Sequence, residues 1–131
     1  MMSVYTIGML GYSMIEILWR GFTHWTMGLL GGIGFLTLYI TEWLLKGKCL
    51  LRRAATGCML LTCLEFLTGC IVNKIFHMDV WDYSEQDGNI MGQICPLYML
   101  LWFLLCCFVM PFGKLLRKRI GYIFVSRQIE L

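Results

Sequence analysis

The sequence is poor in charged residues, which make up 15% of the chain, whereas hydrophobic residues make up 59%. Soluble domains carry about a quarter charged residues. A soluble fold of 131 residues has too little interior to bury so much apolar surface, so the excess must face lipid. We therefore expect an integral membrane protein whose first partner is the lipid bilayer.

Several motifs that carry chemistry in soluble proteins are missing. The chain has no GxxxxGK[ST] phosphate-binding loop, so it does not itself hydrolyse ATP by that route. No CxxC pair occurs among the seven cysteines, which argues against a zinc site. His77 has no second histidine at HxH or HxxxH spacing, so we expect no metal and no cofactor. The basic residues flank apolar stretches, and we expect no nucleic-acid partner.

Four stretches are long and apolar enough to cross a bilayer as helices, which takes about 20 residues each. They lie at about 4–20, 25–45, 54–72 and 94–112. The predicted fold class is an all-α integral membrane protein, a bundle of four transmembrane helices within residues 1–113. Residues 114–131 form a basic tail, which is either an interfacial helix on the membrane surface or a frayed terminus. Residues 1–20 lack a basic leader and a small-x-small cleavage site, so the first span is expected to be retained.

Lysine and arginine are distributed unevenly along the chain. The connection between the second and third stretches holds four of them and the tail holds five, whereas the other side has only Arg20 and Lys74. Because positive residues stay inside, we expect both termini in the cytoplasm. The acidic connection 73–93 is then outside.

Glycines are concentrated in the second stretch, in the segment GLLGGIGF. Gly28 and Gly32 have the small-xxx-small spacing that lets helix backbones approach closely in lipid. We favour tight packing within one chain over a seam between two copies, although a homo-oligomer stays open.

Three glutamates lie within the predicted spans, where a charge is expensive unless it has a partner. Glu42 precedes Lys46 by four residues, which predicts a local pair. Glu16 precedes Arg20 by four residues, so it either pairs locally or serves a binding site. Glu65 has no such partner in its own helix. Its charge needs another span, water, a bound cation or a proton, and we predict that it is the central functional residue.

The acidic connection differs from the rest of the chain in its density of polar and aromatic residues. It is either an ordinary solvated loop or an ordered lid over a polar outer cavity. A disulfide between Cys70 and Cys95 is conceivable. Together with Glu16, Arg20 and Glu65, the substrate- or ion-binding candidates are Asp82, Tyr83, Asn89 and Gln93, and the structural cap candidates are Trp81, Ser84, Gly88 and Gly92.

The second half of the chain carries a recognisable pattern. It consists of Glu65, Thr68-Gly69, Trp81-Asp82-Tyr83-Ser84, Asn89, Gly92, Ile94-Cys95 and Trp102. With these offsets the chain resembles the bacterial ABC-transporter type IV family. Between the first two spans it departs from the pattern, because Arg20-Gly21-Phe22 is present but the family's proline-rich step is not.

The resemblance implies a permease-like role in the bacterial cytoplasmic membrane, with a separate ATPase or membrane subunit as a possible partner. The leading hypothesis is a small permease or transporter-like subunit for a cation or small polar solute. The second is a membrane interaction or assembly protein without a substrate. The third is an intramembrane enzyme that uses the carboxylates as acid and base. Transport predicts a cavity reaching Glu65, whereas the assembly hypothesis predicts a hydrogen-bonded WDYS segment without one.

Overall fold

The computed structural model describes the backbone of residues 1–129 and the side chains of residues 1–119. Four α-helices follow one another along this part of the chain. They are α1 (Met2–Arg20), α2 (Trp25–Leu44), α3 (Leu50–Gly69) and α4 (Pro96–Ile129). A π-helical stretch, Cys70–Ile75, continues α3. The predicted all-helical fold with four helices is therefore confirmed.

Three of the four helices are long and apolar enough to cross a membrane. They are α2, α3 with its π-helical extension, and α4 as far as Arg119. The helix α1 is not among them, since it carries Glu16, Arg20 and several hydroxyl-bearing and glycine residues. That α1 also spans the bilayer stays a prediction.

The third and fourth helices extend beyond their predicted spans, whereas α2 ends at Leu44, one residue before its predicted end. The third begins at Leu50 and stays helical to Ile75. Hydropathy identifies only the apolar part of a helix, whereas backbone hydrogen bonds continue into the more polar residues at its ends. The fourth begins at Pro96, a favoured first helical residue. It continues through the basic residues, so that the tail extends α4 as far as Ile129. Its proposed position on the membrane surface stays a prediction, and residues 130–131 lie outside the described chain.

The glycines of α2 allow α1 to lie directly against it. A Cβ atom added at Gly31 would lie 2.3 Å from the Cβ of Tyr12. One added at Gly32 would lie 2.5 Å from the ring of Tyr5. Such separations are far below contact distance, so the small residues set how closely the helices approach. The expected packing within one chain is confirmed.

The basic end of the bundle, where the short 45–49 connection joins α2 to α3, is filled with side chains. Its core contains Leu38 of α2, Ala54, Cys58 and Leu61 of α3, and Cys106 and Met110 of α4. The helix α1 contributes nothing to this buried cluster. The main core therefore holds three helices together, and α1 packs against them chiefly through α2.

Glu42 lies at this end and is 2% exposed. One of its oxygens is 3.2 Å from Nη1 of Arg53 on α3, and the other contacts Nη2 of Arg117 on α4. The predicted local pair with Lys46 was wrong. Because α2 ends at Leu44, Lys46 is outside the helix and exposed, while the carboxylate is directed into the bundle.

A candidate solute site at the loop end

The opposite end of the bundle, called the loop end here, carries the connection 76–95, and buried Asn73 holds that connection in place. The Asn73 side-chain nitrogen donates to the carbonyl of Trp81 at 3.0 Å and to Oε1 of Gln93 at 2.8 Å. Its oxygen accepts from the backbone N–H of Val80 at 2.8 Å. Sequence reasoning missed Asn73, because an asparagine after an apolar stretch equally marks the start of a solvated loop.

Gln93 completes this network and is 1% exposed. Its backbone carbonyl accepts from the indole nitrogen of Trp81 at 3.1 Å. A Cβ atom added at Gly69 would lie 2.4 Å from the Gln93 side-chain oxygen. The side-chain oxygen of Gln93 accepts from Asn73, and its side-chain nitrogen donates to the carbonyl of Met91. The structure thus places this binding candidate within the packing of the cap.

A second set of contacts closes the tip of the connection. Asn89 donates to the carbonyls of Ser84 and Gln86 at 3.1 and 2.8 Å, and it accepts from the N–H of Gly92 at 3.0 Å. Gly92 has a φ of 69°. A Cβ atom there would lie 2.6 Å from Oδ1 of Asp82. Glycine is therefore required at this position for both conformation and space.

Asp82 is exposed and stabilises the turn that follows it. Its Oδ1 accepts from the hydroxyl of Ser84 at 2.5 Å and from the Ser84 N–H at 2.9 Å. These hydrogen bonds favour the charged form and hold the pKa of the Asp82 carboxyl below its ordinary value of 3.8. Asp82 is therefore a fixed negative charge on the exposed surface of the loop end.

The predicted pair between Glu16 and Arg20 is present, with 3.2 Å between Oε2 and Nη1. The other guanidinium nitrogen of Arg20 donates to the carbonyl of Val80 at 2.6 Å. Glu16 also accepts from the hydroxyl of Tyr12 at 3.4 Å. This single arginine joins the end of α1 to the connection across the bundle.

Glu65 is 2% exposed and faces the protein interior. Its Oε1 accepts from the Tyr83 hydroxyl at 3.1 Å, and its Oε2 accepts from the Trp102 indole at 2.7 Å. Burial and the neighbouring Glu65 raise the pKa of Tyr83, which stays a neutral donor. Within the described side chains no cation pairs with Glu65. Two neutral donors occupy its oxygens without compensating a negative charge.

Aromatic stacking positions both donors. Tyr83 lies on Tyr98, with 4.4 Å between ring centroids and 16° between planes. Trp102 lies on Tyr12, with 5.7 Å between centroids. The contacts therefore run from Glu16 through Tyr12 and Trp102 to Glu65. The two glutamates that the sequence singled out are linked by two stacked rings.

A cavity of about 490 Å³ opens between α1, the connection and α4. We call it the aromatic cavity, because six of its thirteen lining residues are aromatic: Tyr12, Trp19, Trp81, Tyr83, Tyr98 and Trp102. The polar lining residues are Glu16, Arg20, Asp82 and Gln86. The candidates Asn89 and Gln93 do not line it. Glu65 lies behind the side chains of Tyr83 and Trp102 that form part of its wall.

A second cavity of about 340 Å³, the apolar cavity, lies between the four helices. Its lining includes Gly11, Phe35 and Leu38, and it reaches Glu65. Both cavities are lined by Tyr12, Ile15, Trp102 and Leu105. Sequence reasoning missed the aromatic wall, although Tyr98, Trp102 and Leu105 recur at the spacing of one helix face.

The cysteines form no cross-link at this end. Cys70 is partly buried and Cys95 is buried, and both are free thiols. The disulfide considered from the sequence is therefore absent. Gln93, Trp81 and Asn73 hold the connection in place by hydrogen bonds instead.

Comparison with known proteins identifies a family but no close relative of established activity. No curated protein matches the chain, and no solved structure matches it. One family profile matches residues 3–129, nearly the whole sequence. The predicted resemblance is thereby confirmed, and the chain belongs to the family described as "Putative ABC-transporter type IV".

Proposed function

We propose that the chain is a small permease or transporter-like subunit that takes a cation or small polar solute into the aromatic cavity. The observation that carries the proposal is the position of Glu65. It is buried beside the cavity, and its only partners among the described side chains are the neutral donors Tyr83 and Trp102. A buried charge without a compensating partner is costly. Glu65 therefore exchanges a proton or a cation when the solute enters.

Glu16, Arg20, Asp82 and Tyr83 bind or orient the solute in this proposal. They line one cavity, although they come from α1 and from the connection. Asn89, Gln93, Trp81, Ser84, Gly88 and Gly92 then act by shaping the wall. This division is supported by the hydrogen bonds that Asn89 and Gln93 make within the connection.

The energy source and the assembly are also part of the proposal. The sequence lacks a phosphate-binding loop, so energy comes from an ion gradient or from a separate ATPase subunit. The family name and the apolar helices support a multi-pass protein in the bacterial cytoplasmic membrane. The basic residues favour cytoplasmic termini and an outer connection. Many exposed apolar side chains leave room for a homo-oligomer or a second membrane subunit.

A second candidate function is a membrane interaction or assembly protein without a solute. The observation that favours it is the hydrogen-bonded connection, in which Asn73 and Asn89 fix the backbone on both sides of Trp81-Asp82-Tyr83-Ser84. This hypothesis gives Glu65 only a structural role. Glutamine at position 65 would then leave all function intact.

Proton flux in proteoliposomes separates the two functions. Vesicles containing the purified chain and an internal pH-sensitive dye are exposed separately to sodium and to tetramethylammonium. We expect a cation-dependent change of internal pH that is lost in Glu65→Gln. The matched control is Glu85→Gln, because Glu85 is exposed and does not line the cavity. A Glu65→Gln variant with parental flux would contradict the proposal.

A further inference from the structure

We propose that the site takes an amphiphilic cation, with an ammonium head group in the aromatic cavity and an alkyl chain in the apolar cavity. This inference rests on the proposed function for the location of the solute site. It goes further in naming the class of solute. Three features support it: the aromatic wall, the balance of charge and the adjacency of the two cavities.

The aromatic wall suits an ammonium group that has no need of a tight hydration shell. Aromatic faces attract cations electrostatically, and the attraction grows when water is excluded. Trp19 and Tyr98 approach from α1 and α4, while Trp81 and Tyr83 approach from the connection. A small hydrated metal ion would call for several converging oxygen ligands instead.

The charges at the aromatic cavity favour a cation over an anion. Glu16 and Asp82 are negative, and Arg20 is the positive residue in the lining. The guanidinium of Arg20 is already engaged by Glu16 and by the carbonyl of Val80. Asp82 and, behind the wall, Glu65 lack a cationic partner among the described side chains.

The apolar cavity provides a place for a chain attached to that head group. It adjoins the aromatic cavity, and the side chains of Tyr12, Ile15, Trp102 and Leu105 line both. Each cavity has a volume within the range of about 300–1,000 Å³ that is common for small-molecule sites. A solute consisting of the head group alone would leave the apolar cavity without a function.

The opening of the aromatic cavity is flanked by exposed apolar side chains, which suit contact with a solute dissolved in the membrane. Trp19 lines the aromatic cavity and is 70% exposed, and Leu101 of α4 lines it from the other side and is also exposed. Neighbouring Leu18 and Leu104 are exposed apolar residues of the same two helices. A membrane-dissolved molecule therefore reaches the cavity from the side, between α1 and α4.

The test uses the full chain in phosphatidylglycerol nanodiscs, which contain no amine head group. Binding is followed by tryptophan fluorescence, with empty nanodiscs as the correction for partitioning. The probes are decyltrimethylammonium, tetramethylammonium and decyl sulfate. We expect decyltrimethylammonium to bind at least about tenfold more tightly than either of the others, because only it has both the cationic head and the chain.

Two substitutions assign the two parts of the probe. A Cβ atom at Gly11 would meet no atom within 4 Å, and Gly11 lines the apolar cavity. Gly11 is exposed, so it lies at the open side of that cavity. Gly11→Leu should therefore narrow that opening without disturbing the fold, weakening decyltrimethylammonium binding but not tetramethylammonium binding. Trp19→Leu should weaken both about fivefold, whereas Trp25→Leu, which changes an exposed tryptophan outside the cavity, should weaken neither.

Equal binding of decyl sulfate, or binding of decyltrimethylammonium unaffected by Gly11→Leu, would overturn the inference. Its failure is distinguishable from failure of the proposed function. If tetramethylammonium drives Glu65-dependent proton flux but the alkyl chain adds no affinity, the chain is a transporter of another solute. If decyltrimethylammonium binds as expected but Glu65→Gln leaves flux unchanged, the site stands and the exchange role of Glu65 does not.

Discussion

The two ends of the bundle treat a buried carboxylate in opposite ways. Glu42 and Glu65 are each 2% exposed. At the basic end, Glu42 contacts the guanidinium groups of Arg53 and Arg117. At the loop end, Glu65 accepts from a phenol and an indole, both neutral. Burial is therefore the same, and the charge of the partners distinguishes the two residues.

The packing around the two glutamates also differs, because Glu42 lies beside a filled core and Glu65 lies beside cavities. The basic end is filled around Glu42 by side chains such as Ala54, Cys106 and Met110, whereas the aromatic cavity opens at the loop end and adjoins the apolar cavity between the helices. A paired charge in a packed region joins helices, since removing one partner leaves the other buried and unpaired. A carboxyl that has no cationic partner and lies beside a cavity is free to exchange a proton for a cation. The contacts of Glu42 give it a structural role, whereas the contacts of Glu65 are those on which its proposed exchange role rests.

The largest expected effect follows from Glu42→Gln. This substitution leaves two partly buried guanidinium groups without a counter-charge. We expect it to lower the free energy of unfolding by about 3 kcal/mol, near the lower limit for a broken buried pair, because both arginines retain some exposure. Glu65→Gln should cost about 1 kcal/mol, because an amide still accepts from Trp102. Denaturant unfolding in detergent measures both. Equal losses would break the comparison.

A smaller effect is expected at Asn73, which supports the loop end without touching the solute. Asn73→Ala removes three hydrogen bonds and leaves the N–H of Val80 buried, so we expect a loss of about 2 kcal/mol. The control is Asn89→Ala, whose hydrogen bonds are partly exposed and should contribute less. Limited proteolysis of the connection and unfolding in detergent measure the difference. Faster cleavage in Asn89→Ala than in Asn73→Ala would contradict the assignment.

The smallest effect concerns pH and the exposed turn at Asp82. Its pKa is lower in the folded chain than its ordinary value of 3.8. The stabilisation it provides is therefore complete above 3.8 and is lost as the pH falls through the lower folded value. We expect the amide signal of Ser84 to report this loss by NMR. The same transition in Asp82→Asn would show that another group is responsible.

Local patterns predicted the helices and the contacts within them. Hydropathy located the four helical stretches, and the spacing of four residues predicted the pair between Glu16 and Arg20. The glycine spacing predicted close helix packing within one chain, and the structure identifies α1 as the partner. These features depend on the mean hydropathy of a segment or on residues that are close along the chain. Both can be read directly from a sequence.

Contacts between distant residues were not predictable in this way. The partners of Glu42 lie 11 and 75 residues along the chain, and the donor Trp102 lies 37 residues beyond Glu65. Asn73 lies in the π-helical stretch after α3, and its partners Val80, Trp81 and Gln93 lie 7, 8 and 20 residues further along the chain. Charge, size and spacing indicated that Glu65 needed partners, but three-dimensional packing decided that those partners are neutral.

Release of protons on cation addition tests the central claim most directly. The purified chain is titrated with tetramethylammonium in weakly buffered solution, and the released protons are measured with a pH electrode. The account predicts release from the parent and from Glu85→Gln, and none from Glu65→Gln. Undiminished release from Glu65→Gln would show that the uncompensated carboxylate at the loop end is not the exchanging group, and the distinction between the two ends would fail.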